Sequence, residues 1–169
     1  MTTAEVERGS LERIAYHEAG HAVAAIDNGC GVTSATILED DDSYGKVSHG
    51  MPPGWPPDLY APVAEWREVV DKVVLMCLAG SAAEVSFLGG EKGIEPSRSD
   101  YETACECANL LYGRDELQGY LEAMGERIYE WVEKKDVRCR ILAVATALLR
   151  HGRLSGPDVR DLCAQADAN

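Results

Sequence analysis

Apolar residues recur at helical spacing through Leu11, Ile14, Ala15, Ala22, Ala25 and Ile26, which predicts an α-helix over residues 10 to 28. Ser10 suits its N-cap, Glu12 its positive first turn and Gly29 a stop just beyond its end. The pattern then changes. Val32-Thr33-Ser34-Ala35-Thr36-Ile37 is rich in β-branched residues and reads as a strand, and Gly45-Lys46-Val47-Ser48-His49 reads as a second one. The acidic run Glu39-Asp40-Asp41-Asp42 between them is expected to be a solvated turn closing a hairpin. Pro52-Pro53-Gly54-Trp55-Pro56-Pro57 lacks the backbone donors that a helix or central strand needs, so it is a loop. A long helical pattern follows over about 61 to 87, with Pro62 near its first turn and Gly89-Gly90 past its end. Further helices are predicted over 99–112, 116–134, 136–150 and 156–166. The expected fold is mainly α (α+β), with a small β-hairpin packed near the first helix. It forms a single domain over 1–169, with residues 1–9 a flexible N-terminus.

Composition narrows the function classes. A chain of 169 residues that is 46% hydrophobic can build one core of useful size. The net charge of −13 disfavours binding nucleic acid or anionic membranes through broad electrostatics. Residues 1 to 7 carry no basic and apolar leader pattern, and no run of about 20 apolar residues follows, so a cytoplasmic protein with no membrane anchor is expected. The six cysteines show no CxxC spacing, and buried free thiols are the simplest reading.

The chemistry concentrates in His17-Glu18-Ala19-Gly20-His21, an HExxH sequence in the middle of the first predicted helix. Residues four apart stack one above the other at about 5.4 Å per turn, so both imidazoles can meet one ion. Ile14 and Ala25 project on the same side, which turns the motif towards the core. Two histidines and a glutamate are costly to bury without a partner, and a metal is the partner that fits them. Zn²⁺ held by three protein ligands keeps one position for water and lowers its pKa to about 7, where a neighbouring carboxylate such as Glu18 can take a proton.

HExxH supplies two ligands, and the third must come from elsewhere in the chain. Asp100, Glu84, His49 and His151 are the candidates. Ser99-Asp100-Tyr101-Glu102 has a capping-box pattern, which sets Asp100 at the first helical position; acidic residues are also common there for the helix dipole alone. Glu84 ends Ala79-Gly80-Ser81-Ala82-Ala83-Glu84, a run of small residues that lets another helix come close. It can serve as a ligand, as an orienter of a histidine, or as an exposed charge.

Ala15-Tyr16-His17-Glu18-Ala19-Gly20-His21-Ala22-Val23 resembles the motif of the M41 peptidases, the protease domain of FtsH-type ATP-dependent zinc proteases. The strand at Val32–Ile37, the helix ending Leu78–Glu84, the Ser99–Ala104 helix start and the segment Leu154–Arg160 occur in that family's order, so the likeness covers most of the chain. The resemblance implies that Asp100 is the third zinc ligand, with Glu84 the runner-up. The chain carries no GxxxxGK[ST] pattern and no transmembrane stretch, so a peptidase without the ATPase module of full-length members is expected.

The resulting expectation is a zinc peptidase in which His17, His21 and Asp100 hold Zn²⁺ and Glu18 is the general base. Unfolded polypeptide or peptides are its substrates, with a separate ATPase or adaptor as a possible partner. The alternative is a catalytically silent, zinc-stabilised binding or regulatory module, and a helical bundle without metal is the plainest option. A role for His49 at the site is disfavoured. Trp55, Tyr60 and Trp66 are expected to anchor the Pro-rich loop in preference to walling a substrate cleft.

Overall fold

The computed structural model describes residues 3–39, 44–56, 58, 60, 62–89 and 98–168. Among them are six helices and three strands: α1 (Thr3–Asp27), β1 (Val32–Glu39), β2 (Tyr44–His49), α2 (Val63–Leu88), α3 (Arg98–Ala108), α4 (Arg114–Val132), α5 (Lys135–His151), β3 (Arg153–Ser155) and α6 (Gly156–Asp167). The protein is mainly helical, with one small antiparallel sheet, as the periodicity predicts.

The first helix begins at Thr3, well before the expected cap at Ser10. Ala4, Glu5, Glu7 and Arg8 are good helix formers and offset the cost of Gly9, and the stretch expected to be a flexible N-terminus is helical backbone from Thr3 onwards. The acidic run beyond Glu39 lies outside the described residues. Trp66 Nε1 donates to the Asp58 carbonyl at 3.0 Å and Trp55 packs on the core, so both hold the Pro-rich loop in place; Tyr60 is fully exposed and anchors nothing by burial.

The sheet has the order β2-β1-β3, both pairings antiparallel. Val32, Ala35 and Ile37 of β1 are all buried, which strict alternation forbids. The register shift between Val32 and Ser34 resolves this by changing which side chains face inward. Strand β3 is not foreseen by periodicity, because three residues are too few to display a period. Its Leu154 sits opposite Ala35 and is buried. Ser155 then caps α6: its N–H donates to Asp158 Oδ2 at 2.9 Å and its hydroxyl accepts from the Asp158 N–H at 3.3 Å.

Helix α1 lies at the centre, packed on α2, α5 and β1, with Ala15, Ala19, Ala22, Val23 and Ala25 buried. Its contact with α2 is unusually close. A Cβ at Gly20 would lie 2.5 Å from the Ala79 carbonyl oxygen and 2.8 Å from Ala83 Cβ, so only glycine fits between the two backbones. Helix α4 is held to α2 by Asp71, which accepts from the Tyr120 hydroxyl and the Arg127 guanidinium at 2.7 Å each. No helix among the described residues is long and apolar enough to cross a membrane.

Asp27 ends α1, where the helix dipole disfavours negative charge. The buried Arg140 of α5 offsets it by pairing with Asp27, and also reaches Asp136 at 3.1 Å and Asp167 at 3.4 Å; Trp131 Nε1 donates to Asp27 at 2.9 Å. Arg140→Ala leaves Asp27 without its cation and is expected to lower unfolding free energy by about 2–3 kcal/mol in urea titrations, below the usual figure for a fully buried pair because Asp27 keeps some solvent. Asp136→Ala, at the exposed end of the network, should cost less than about 1 kcal/mol.

Candidate metal centre

His17 and His21 sit on successive turns of α1, backed by the buried Ala15, Ala19 and Ala22, with ring centroids 4.7 Å apart and planes at 75°. Their Nε2 atoms are 3.1 Å apart. Asp100, in the first turn of α3, brings Oδ2 to 3.2 Å from His17 Nε2 and 3.3 Å from His21 Nε2. The three atoms form a nearly equilateral triangle. Ligands bound to one ion at about 2.0–2.1 Å with tetrahedral angles stand about 3.3 Å apart, so the triangle has the size of one face of such a site. His17, His21 and Asp100 could therefore hold a metal ion, and they form the one such group among the described residues.

The outer sides of both rings decide what the inner sides offer. His21 Nδ1 lies 2.8 Å from the Met76 carbonyl, which only accepts, so Nδ1 is the donor and Nε2 is the nitrogen left to face inward. His17 Nδ1 faces Glu84 Oε2 at 3.6 Å, and Glu84 is held in turn by Arg13 Nε at 2.7 Å. Contact with His17, then with Arg13, lowers the Glu84 pKa below its ordinary value. Two imidazole lone pairs and a carboxylate thus converge on one point and repel each other unless a cation lies between them. In the protein alone that cation is a proton: burial opposes charge on His17, but Asp100 and Glu84 outweigh it and raise its pKa to about 9.

Glu18 is 7% exposed, and burial raises its pKa. Strand β2 passes directly over it. A Cβ at Gly45 would sit 2.8 Å from Glu18 Oε1 and 2.5 Å from Ile14 Cγ2, and its φ of +92° independently favours glycine. Gly80 does the same from α2: a Cβ there would lie 2.4 Å from His21 Nε2 and 2.7 Å from His17 Nε2, inside the triad.

The triad and Glu18 open into a cavity of about 970 Å³ bounded by α1, α2, β2 and α3. Its wall includes Val73, Met76 and Met51, together with Arg13 and Lys46. His49 lines the cavity but stands outside the metal-binding group, with Nδ1 2.7 Å from the Gly50 carbonyl. His151 is exposed at the end of α5 and takes no part in that group. Glu84 also lies in the cavity wall, on the Nδ1 side of His17, away from the triad. None of Trp55, Tyr60 and Trp66 lines the cavity. The helix carrying Asp100 is assigned from Arg98, which sets Ser99 just inside it and not at the cap, a difference within the ordinary spread of helix ends. All six cysteines are free, and burial raises Cys77, on the cavity wall, to about 12.

Sequence reasoning did not single out Gly45, Arg13 or the Met76 carbonyl, and it placed Gly80 in a run of small residues that lets another helix come close without foreseeing its approach to the histidines. For Gly80 a signal existed: a glycine inside a helical run of small residues marks a close approach. For the others none did, because their roles depend on which element lies opposite. Searched against models of known protein families, the chain matches none.

Gly80→Ala forces a methyl group between the two Nε2 atoms. We expect Co²⁺ affinity, measured by chelator competition, to fall by about tenfold or more while circular dichroism still reports a folded helical protein. Unchanged affinity would mean that the rings are not where the geometry puts them.

Proposed function

We propose that this chain is a zinc-dependent peptidase resembling the M41 proteases. The observation that supports it best is the triad itself: two imidazole Nε2 atoms and one carboxylate oxygen 3.1–3.3 Å apart, opening on the cavity that Glu18 also lines. An N/N/O set of this kind favours zinc among the common divalent ions. The pairing of such a set with a buried carboxylate is what hydrolysis of an amide needs, whereas a purely structural site has no use for a base.

When bound at His17, His21 and Asp100, Zn²⁺ supplies a Lewis acid and lowers the pKa of water. Glu18 then takes and returns the proton. Burial raises its pKa and brings its proton affinity closer to the working pH, where a general acid-base is most effective. Arg13 and Lys46 add positive charge to a cavity wall in a protein of net charge −13. A cavity of about 970 Å³ that opens to solvent leaves room for a peptide segment, and a separate ATPase or adaptor would be the source of unfolded chains. A cytoplasmic location fits this reading.

Two measurements test the proposal. Glu18→Gln should retain stoichiometric zinc and lose peptidase activity on casein or unfolded peptides by at least about 10²-fold, the usual size of a general acid-base contribution. Retained activity removes Glu18 as the base, and a wild-type protein that binds zinc but cleaves nothing across broad peptide libraries is a binding module. The second measurement follows the proton. With His17 protonated up to about pH 9, zinc uptake at pH 7 must displace that proton, so calorimetry in buffers of different ionisation enthalpy should report about one proton released, declining as pH rises through 9.

A further inference from the structure

The inner face of α5 is accounted for by packing: Val137, Ile141, Val144, Ala145 and Leu148 are buried, and the helix lies on α1 and α6. Its outer face is not. Leu142 and Leu149, about two turns apart on the same side, are 47% and 43% exposed, and Lys135, Cys139 and Thr146 are exposed along that side with them. At the end of the helix stands Leu38 of β1, 56% exposed, so close to Gly152 that an added Cβ there would lie 2.9 Å from Leu38 Cδ2. Single exposed leucines need no explanation, but a row of them on a helix does. Charge is segregated on the same stretch. Six of the chain's 16 Lys and Arg fall within residues 134–153, against one of its 29 Asp and Glu, and no acid occurs between Asp136 and Asp158. Arg138 and Arg140 are engaged inside the protein, with Ser86 and Asp27. Lys135, Arg150 and Arg153 are exposed and form no ion pair among the described residues. The helix dipole accounts for Arg150 in the last turn, but it disfavours Lys135 in the first.

We infer that the outer face of α5 is a docking surface for an acidic amphipathic helix of a partner protein, whose apolar stripe covers Leu142 and Leu149 and whose carboxylates meet Lys135 and Arg150. From Lys135 to Leu149 the face is about 21 Å long, which matches a partner helix of about four turns. Charge decides the occupant. On a protein of net charge −13, a strip that carries cations and no acid attracts carboxylates locally, while the acidic remainder lies beyond the screening length of about 8 Å for most of a helix-sized ligand. A second copy docked through the same face would set cations against cations. A flat anionic membrane would bring much of the acidic surface close as well, and a nucleic acid would leave the leucines uncovered.

The test measures binding of fluorescent helical peptides to the full chain by anisotropy, with the alkylation rate of Cys139, the one exposed cysteine of the six, as a second readout. A peptide with leucine at alternating third and fourth positions and glutamate between them should bind at least about tenfold more tightly than its counterpart with lysine in place of glutamate, and it should slow Cys139 alkylation. Leu142→Asp and Lys135→Glu should each weaken binding by about fivefold or more with circular dichroism unchanged, whereas Leu110→Asp, at an exposed leucine beyond α3, should leave it at the wild-type level. Raising salt from about 0.05 to 0.3 M should weaken it as well. Equal affinity for the two peptides, or affinity untouched by both α5 variants, overturns the inference. So does a wild-type chain that self-associates in sedimentation velocity while Leu142→Asp stays monomeric, which gives the face to a second copy. Preference for phosphatidylserine vesicles over the acidic peptide overturns it too, and gives the face to a membrane. Neither readout involves bound metal or catalysis, so a negative result leaves the zinc reading untouched.

Discussion

The separation of α1 and α2 is the constraint on which the site depends. A main-chain carbonyl of one helix can reach an imidazole of another only if the two come close, and ordinary side chains keep helix axes about 8–10 Å apart. Gly20 lets the backbones touch from one side and Gly80 from the other. Ala79, Ala82 and Ala83 extend the thin layer, all of them buried. The Met76 carbonyl can then reach a ring that belongs to a different helix, and the triad forms over a surface that has no side chain of its own.

Close packing also concentrates charge. Glu18, Glu84 and Asp100 share one cavity with His17 and His21, and all three acids act on His17 because burial keeps water from screening them. The consequence is a division of labour among three acids: Asp100 faces the inner nitrogens, Glu84 an outer one, and Glu18 the gap under β2. The same principle operates away from the site, where Arg140 neutralises the acidic end of α1 and keeps the central helix in register with α5 and α6.

Much of this was legible in the chain. The helix carrying His17 and His21, the strands that flank the acidic run in the sequence, and the long helix ending before Gly89 follow from periodicity and punctuation, because each is a local property. Asp100 at a helix start was also visible, though its approach to the histidines was not, since 79 residues separate it from His21 and only the packing of α3 on α2 brings them together. Ser10 misled for the opposite reason: a residue that suits a cap does not stop a helix whose preceding residues also favour one. Strand β3 was too short to show a pattern, and the tasks of Gly45 and Gly80 are set by what lies across from them.

The two rings differ in what their outer nitrogens face. His21 leans on a main-chain oxygen, which every amino acid at position 76 possesses, so no substitution there can delete the partner. His17 leans on a side chain, which a single codon change can shorten, neutralise or remove. Of the two outer contacts, then, only the one at position 84 can be removed by replacing the partner's side chain.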